Sequence, residues 1–495
     1  MSNSNFRTVQ ELKTLLKTDH SNAYDRINLL FDAGTFVETG AYVKRATTEF
    51  DCADAASEFE GVVTGYGAID GRLVFAFLQD FSRMKGAIGK AGAEKICRLY
   101  DLAMQNGAPV IALFESAGAK TLEGMEALAG YGMVMRKVAD ASGIIPQIAV
   151  ITGICGGTSA SIAGMFDFVI GAKENGQFYV NPPSAMKAKA TEKVFSFGSV
   201  TAAAENGSIT AVCDNADAAI ASVRKLLTFL PSNNAEGTVY AMDGELADTS
   251  AQITELLADK SYDMKALLSA LSAQHAFYET YADYGKEIVT ALAQIGRTVV
   301  GVVASQPSIH GGAISLAAAL KAARMIRFCD CFRIPLLTLV DSEGIAACPT
   351  CEAAGLATAL AKLGSAYAAS KMPKVTVILG NAIGQAYTLL GSKSIGADLV
   401  FALDCAKISI FSTDAGVEFL YGDRIRKAKD STAEKDAATA EFCDRYASAL
   451  VAARSGEVDD LIDSTEIGAK IAAAFEMLSC KSETLLTKRH SNLPL

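Results

Sequence analysis

Four short turns of small residues are the places where this 495-residue chain is best equipped for chemistry. Ser116-Ala117-Gly118 and Gly156-Gly157-Thr158 lie in the first half, and Ser342-Glu343-Gly344 and Gly384-Gln385-Ala386 in the second. Each ends an apolar, strand-like run and leads toward a helix. Small residues there let a ligand approach backbone N–H groups at a helix start, where the dipole also favours negative charge. Two such donors converging on one oxygen make an oxyanion hole. Glycines of the same kind also close ordinary strand-to-helix turns. Occurrence of both turns in both halves is what gives the catalytic reading weight.

Other chemistries find little support. The chain has four histidines, His20, His275, His310 and His490, too far apart in sequence for a local metal site. No G-x-S-x-G nucleophile elbow occurs. Cys348 and Cys351 form one Cys-x-x-Cys without a second pair or nearby histidines, so neither zinc nor redox chemistry is expected there. No metal site is expected elsewhere. Gly153 to Gly157 lacks the lysine of a phosphate loop and the glycine spacing of a dinucleotide fingerprint. Ala185-Met186-Lys187-Ala188 resembles a biotin-attachment sequence, but Pro182-Pro183 precede it and no small all-β domain surrounds it. Covalent biotin on Lys187 is therefore not expected. For acid–base work, Glu115, Glu123 and Glu343 are the carboxylates nearest the turns.

The elements that position these turns repeat along the chain. Ile96, Leu99, Tyr100 and Ala103 fall at i, i+3, i+4 and i+7, the mark of an amphipathic helix. Pro109 follows, then the apolar run Val110 to Phe114 and Ser116-Ala117-Gly118. Ala322, Met325, Ile326 and Cys329 keep the same spacing, followed by Pro335, Leu336 to Val340 and Ser342-Glu343-Gly344, an offset of 226. Pro146, the run Ile148 to Ile151 and Gly157 are matched by Pro373, Val375 to Leu379 and Gly384. Asp167 to Ile170 is echoed by Asp398 to Phe401. Short apolar strands alternating with helices imply an α/β fold of two homologous βαβ domains whose parallel strands are covered on both faces. The expected organisation is a first domain over 1–235, a linker over 236–260 after the helix stop Leu230-Pro231-Ser232-Asn233-Asn234, and a second domain over 261–495. The helix around Val9 to Leu16 and the stretch Lys481 to Leu495 are expected to pack outside.

Composition sets the outer bounds. Half of the residues are hydrophobic and 20% charged, which excludes disordered, collagen-like and coiled-coil classes. The net charge of −10 argues against nucleic acid as main partner. Eleven scattered cysteines and a polar start without a signal-peptide core favour free thiols in the cytoplasm. The longest apolar run, Ile144 to Cys155, is broken by Pro146 and Gln147 and is too short to span a bilayer.

Longer stretches carry a family resemblance. Asp25-Arg26-Ile27, Phe31 to Phe36, Gly61 to Gly67, Gln79-Asp80-Phe81, Glu94-Lys95-Ile96, Gly130-Tyr131-Gly132, Ile145 to Ile148 and Leu230 to Asn234 resemble the N-terminal half of biotin-dependent acyl-CoA carboxyltransferases. Gln306-Pro307, Gly311-Gly312, Lys321 to Arg324, Arg327 to Asp330, Ile334 to Leu336, Gly396-Ala397-Asp398 and the ending Lys488 to Leu495 continue it through the second half. The pattern is that of propionyl-CoA carboxylase β subunits and methylmalonyl-CoA decarboxylase α subunits. The resemblance implies two tandem crotonase-like domains and a hexamer whose sites lie between the first domain of one subunit and the second of another. It implies acyl-CoA on the first domain, and biotin borne by a separate carrier protein on the second. A biotin carboxylase or a membrane decarboxylase subunit is the further partner implied. The reaction implied passes through two successive enolates, one of biotin and one of the thioester, and needs no catalytic histidine.

The departures from the family pattern fall on the turns. Ser-Gly-Gly-Ala-Arg reads Ser116-Ala117-Gly118-Ala119-Lys120, and Ala-Gly-Gly-Ala reads Gly156-Gly157-Thr158-Ser159. Asp-x-Pro-Gly-Phe reads Asp341-Ser342-Glu343-Gly344-Ile345, and Gly-Gly-Ala-Tyr-Asp reads Gly384-Gln385-Ala386-Tyr387-Thr388. By the resemblance, the N–H groups of Gly157 and Thr158 serve the acyl-CoA oxyanion, and those of Gln385 and Ala386 the biotin oxyanion. Ala117, Gly118, Gly156, Gly344, Ile345, Gly384 and Thr388 line the substrates. Backbone donors survive a change of side chain, so the expected activity is carboxyl transfer between carboxybiotin and a short acyl-CoA. Two alternatives stand beside it: a paralogue that kept the fold without turnover, and a crotonase-type hydratase or isomerase.

Overall fold

The computed structural model describes residues 8–19, 21–46, 59–187, 197–239 and 249–483. The chain divides into two compact units between Glu236 and Gly237.

In the first unit a nine-stranded sheet is described. β1 (Val37–Thr39), β2 (Val62–Ile69) and β3 (Arg72–Gln79) are antiparallel. β4 (Val110–Ser116), β5 (Gln147–Gly156), β6 (Phe168–Ala172) and β9 (Ala211–Cys213) then add in parallel, in chain order. β7 (Gln177–Tyr179) leaves this path and pairs with the last residues of β5, and β8 (Gly198–Ser199) pairs with β7. The second unit repeats the plan. β10 (Phe277–Thr280), β11 (Ile288–Ile295) and β12 (Thr298–Ser305) are antiparallel. β13 (Leu336–Ser342), β14 (Lys374–Ile383), β15 (Leu399–Leu403) and β17 (Asp460–Ile462) follow in parallel, with β16 (Lys407–Ser409) on the end of β14. These are the two tandem crotonase-like βαβ domains expected.

The helical spacing read from sequence is realised as burial. Ile96, Leu99, Tyr100 and Ala103 of the helix Lys90–Asn106 are buried in the first core, and Ala322, Met325, Ile326 and Cys329 of Leu316–Cys331 are buried in the second unit. The central strands β4, β5, β13 and β14 are buried almost throughout, because helices cover both sheet faces. Each first crossover helix also buries one lysine. Lys95 donates to the Val62 carbonyl, and Lys321 to that of Tyr284 at 3.0 Å. Burial lowers both ammonium pKa values, that of Lys321 to about 8.

Both units break the β4–β5 type of register at the same place. Phe114 faces Ile151 but Ser116 faces Cys155; Val340 faces Ile378 but Ser342 faces Ala382. Two extra residues on the longer strand bend its end away and let the two following turns lie side by side. A carboxylate marks each bulge. A Cβ on Gly153 would lie 2.7 Å from Glu115 Cγ, and one on Gly380 2.5 Å from the Asp341 carboxyl, so a side chain at either would displace the carboxylate opposite.

The helix stop at Leu230 to Asn234 is held to the first unit. Asn233 Nδ2 donates to the Gly107 carbonyl and Asn234 Nδ2 to that of Gly143, at 2.8 and 3.0 Å. In the segment expected as linker, Ser250–Ala258 is a helix, and its Ile253 is buried in the second core. The expected outer helix is present as Val9–Asp19. Of the C-terminal stretch, residues beyond 483 lie outside the described residues.

Candidate active site

The pairing of β4 with β5 places Ser116 beside Cys155, so Ala117-Gly118 and Gly156-Gly157 emerge as neighbours at the carboxyl ends of parallel strands. Open α/β sheets bind ligands at this edge. In the second unit Ser342 lies beside Ala382, and a Cβ on Gly344 would sit 3.6 Å from the Ile383 carbonyl. The structure thus brings together the turns paired by sequence, once in each unit.

Glycine at the second turn is required by backbone conformation. Gly157 has φ 61° and ψ −131°, Gly384 φ 57° and ψ −130°, and each precedes a short helix, Thr158–Ala163 or Gln385–Leu389. L-residues rarely adopt this conformation. It sends the chain from strand end to helix within one residue. The N–H groups of Thr158 and Ser159, and of Gln385 and Ala386, are then the first two of their helices, with no intrahelical acceptor behind them.

Gly157 N–H donates to the Tyr179 carbonyl at 3.0 Å, just as Gly384 N–H donates to Ser409 at 2.8 Å. The strands β7 and β16, lying on the ends of β5 and β14, supply these acceptors. Gly157 is therefore equivalent to Gly384, and the pair equivalent to Gln385/Ala386 is Thr158/Ser159. The sequence points to Gly157 and Thr158 as the first pair; Ser159 N–H holds the position equivalent to that of Ala386. The glycine offset of 227 carries that equivalence. Ser159 is buried, and its hydroxyl lies 3.2 Å from that of Tyr131, whose pKa burial raises.

The first turns of each unit spend their donors at home. Ala117 N–H donates to Lys85 O at 2.9 Å, and Gly118 N–H to Ser116 Oγ at 3.1 Å. Glu343 N–H donates to Gly311 O, and Gly344 N–H to Ser342 Oγ. These turns keep their N–H groups within the chain, while the first two N–H groups of each helix start have no intrahelical acceptor. Gly118 and Gly344 share φ values of 123° and 125°. Gly156 is buried under the Tyr179 ring, 2.9 Å from where its Cβ would be. Ile345 bridges to Ile314, whereas Gln385 and Thr388 are exposed on the second helix start. Tyr387 OH donates to Glu457 at 3.0 Å.

Two of the three candidate carboxylates are engaged by cations, and Glu123 also accepts at the start of the helix Lys90–Asn106. Glu115 is bound by Arg26, which also reaches Thr152 at 3.3 Å. Glu123 pairs with buried Lys120 at 2.6 Å and accepts from Lys90 N–H at 2.7 Å. Lys120 also donates to the Ala46 carbonyl at 3.0 Å. Glu343 is exposed beside Gly311. At Lys187, Pro183–Lys187 forms a short helix. Among the described residues there is no cluster of three or more potential metal ligands, and no helix is long and apolar enough to cross a membrane.

Comparison with known proteins covers nearly the whole chain. The family model for the carboxyl transferase domain matches residues 17–493. A methylmalonyl-CoA decarboxylase subunit alpha from Propionigenium modestum is 36% identical over 480 residues, 96% of this chain and 93% of that protein. A propionyl-CoA carboxylase beta chain from Roseobacter denitrificans is 36% identical over 484 residues, with the same coverage of both. A transcarboxylase 12S crystal structure, described as a hexamer assembly with methylmalonyl-coenzyme A and methylmalonic acid bound, superposes with a TM-score of 0.93. It is 31% identical and covers 100% of each chain.

Proposed function

The chain belongs to the carboxyl transferase domain family, and on that premise we propose that it is the carboxyltransferase subunit of a biotin-dependent enzyme. It moves a carboxyl group between carboxybiotin on a separate carrier protein and a short acyl-CoA. The observation that carries this reading is the duplicated helix start, two backbone donors behind a positive-φ glycine in each unit. A reaction with an enolate at each of two carbonyl groups needs two such sites. Of the carboxylates nearest the turns, Glu115 and Glu123 are engaged by Arg26 and Lys120, which argues against the acid–base work of a hydratase in the first unit.

The residues fit their proposed ligands. Above Gly157 an added Cβ would meet no atom within 4 Å, which leaves room for a thioester oxygen to reach Thr158 and Ser159 N–H. Ala117 and Gly118, with the small Gly156, form the wall beside it. In the second unit Gln385 and Ala386 N–H face the biotin ureido oxygen, with Gly344, Ile345 and Gly384 beside it and Thr388 at the acyl pocket. Carboxybiotin supplies the transferable carboxyl group when bound. The chain's own work is to hold both carbonyl oxygens on fixed N–H donors and so stabilise negative charge without solvent reorganisation. These dipoles are set by the backbone before substrate arrives.

The same reading makes the protein a cytoplasmic homo-hexamer. Its partners are a biotin carrier with either a biotin carboxylase or a membrane decarboxylase subunit. The test is transfer of labelled carboxylate from methylmalonyl-CoA to free biotin by the purified protein, with propionyl-CoA as the second product. Turnover above the uncatalysed rate supports the proposal. Exposed Gln385, where the family has glycine, favours the non-catalytic alternative if neither free biotin nor any co-purified biotinylated carrier accepts the label.

A further inference from the structure

The Cys-x-x-Cys sequence plays no part in the carboxyl-transfer site, yet its two thiols are built into one turn. Cys348 caps the helix Pro349–Ala353, and its Sγ accepts the Cys351 N–H at 3.3 Å. The Thr350 hydroxyl lies 3.0 Å from the same sulfur. Both cysteines are unpaired and partly exposed. From this juxtaposition we propose that Cys348 and Cys351 are a redox-active dithiol that closes to an intramolecular disulfide, with a small-molecule disulfide of the glutathione class as oxidant.

The roles follow from who donates to whom. Hydrogen bonds from the Cys351 thiol and the Thr350 hydroxyl, with the Cys351 N–H, stabilise a Cys348 thiolate and lower its pKa to about 7. The same contact raises that of Cys351. Cys348 therefore attacks and Cys351 resolves. The Cys348 thiolate displaces one thiolate from the oxidant, which takes up a proton from solvent, and forms a mixed disulfide. Cys351 gives its proton to solvent and attacks the Cys348 sulfur, releasing the second oxidant thiolate, which takes up a proton. The chain loses two electrons and the oxidant is reduced to two thiols.

Other cysteines set the contrast. Burial pushes the thiols of Cys155 and Cys329 well above the ordinary range, and raises that of Cys97. Closure would also act on the adjoining fold. Ala346 and Ala347 alone separate Cys348 from Gly344-Ile345, and Ala346 N–H is tied to Ile314 O at 3.0 Å. The thiol chemistry stands whether or not Gly344 and Ile345 line a biotin pocket.

The experiment uses the full-length reduced protein in glutathione buffers of graded ratio. Samples are quenched in acid, alkylated with N-ethylmaleimide, digested and weighed by mass spectrometry. The expected product is a Cys348–Cys351 peptide lacking two hydrogens and refusing alkylation, while exposed Cys480 remains alkylatable. Cys351→Ser should stop at glutathione on Cys348, and Cys348→Ser should give neither product. Iodoacetamide should modify Cys348 with a midpoint near pH 7. At that pH a thiol of pKa about 7 has about 15-fold more thiolate than an ordinary one, offset about fivefold by lower nucleophilicity, so it should react about threefold faster. A pair that stays alkylatable in fully oxidised glutathione, a mixed disulfide that persists in the unsubstituted protein, or a midpoint near pH 8.5 overturns the proposal.

Discussion

Replacing Gly157 by alanine tests whether the site resides in the backbone. A Cβ at this position meets no atom within 4 Å, so packing supplies no penalty. The cost comes from φ 61° and ψ −131°, a conformation that costs a non-glycine residue about 1–3 kcal/mol. Relief requires rotating the peptides on either side. That would break Gly157 N–H to Tyr179 O at 3.0 Å and the Ala160 N–H bond to Gly157 O at 3.1 Å. Either route turns Thr158 N–H away from its line, and losing one oxyanion donor costs about 10²-fold or more in kcat. We expect Gly157→Ala to lose about 2 kcal/mol in urea unfolding and about 10²-fold in kcat for carboxyl transfer from methylmalonyl-CoA. The control is Gly132→Ala, exposed within the helix Met125–Ala141 with open space around it. That change should gain up to about 1 kcal/mol and leave kcat unaltered. A Gly157→Ala enzyme that is destabilised but turns over at the wild-type rate would refute the donor assignment. One that is neither destabilised nor slowed would refute the conformational argument itself.

Further outcomes concern charge, pocket shape and assembly. Burial holds the Lys321 pKa at about 8, below the ordinary 10.5, so both folded and unfolded chains carry the charge at lower pH. Between the two values only the unfolded chain keeps it, so this group makes stability rise with pH. Unfolding of the wild type relative to Lys321→Met should gain about 2 kcal/mol from about pH 7.5 to about pH 9.5; a flat difference would contradict the burial argument. Gln385→Gly should open the proposed biotin pocket and raise biotin-dependent turnover about threefold, the equivalent of roughly 0.7 kcal/mol. Acyl-CoA affinity by calorimetry should not change, and an equal shift in both would merge the two pockets into one. Sedimentation should find six copies of the 51.8 kDa chain, and an active monomer would dismiss the hexamer.

Sequence showed most of the scaffold because its signals are local. The spacing of Ile96, Leu99, Tyr100 and Ala103 marks one buried helical stripe, and the same stripe recurs at Ala322 to Cys329. Prolines before β4, β5, β13 and β14 mark where those strands open, and the duplicated order gives the repeated domain. The hydrogen-bond ledger at the turns was not legible. Gly157 N–H is taken by Tyr179, on a strand that pairs with β5 only after the intervening helix and β6 have passed. Ala117 N–H is taken by Lys85 from well upstream. Such long-range partners leave no periodicity, so the sequence does not show that Gly157 N–H is taken within the chain. The buried lysines were similarly hidden, since Lys95 and Lys321 look like solvated helix residues until the carbonyls of Val62 and Tyr284 are brought to them.

The twin glycines before Thr158 and Gln385 also bear on how this protein can change through descent. A catalytic side chain announces its own loss, because its replacement is visible in any aligned sequence. In the proposed site the polar groups offered to substrate belong to the main chain, common to every residue except proline. Thr158, Ser159, Gln385 and Ala386 can therefore be exchanged for many neighbours while the dipoles stay in place. Selection for a new acyl chain can remodel the walls freely without dismantling the machinery. The price is a concentrated vulnerability: two positions, Gly157 and Gly384, hold a conformation that almost no other residue will accept.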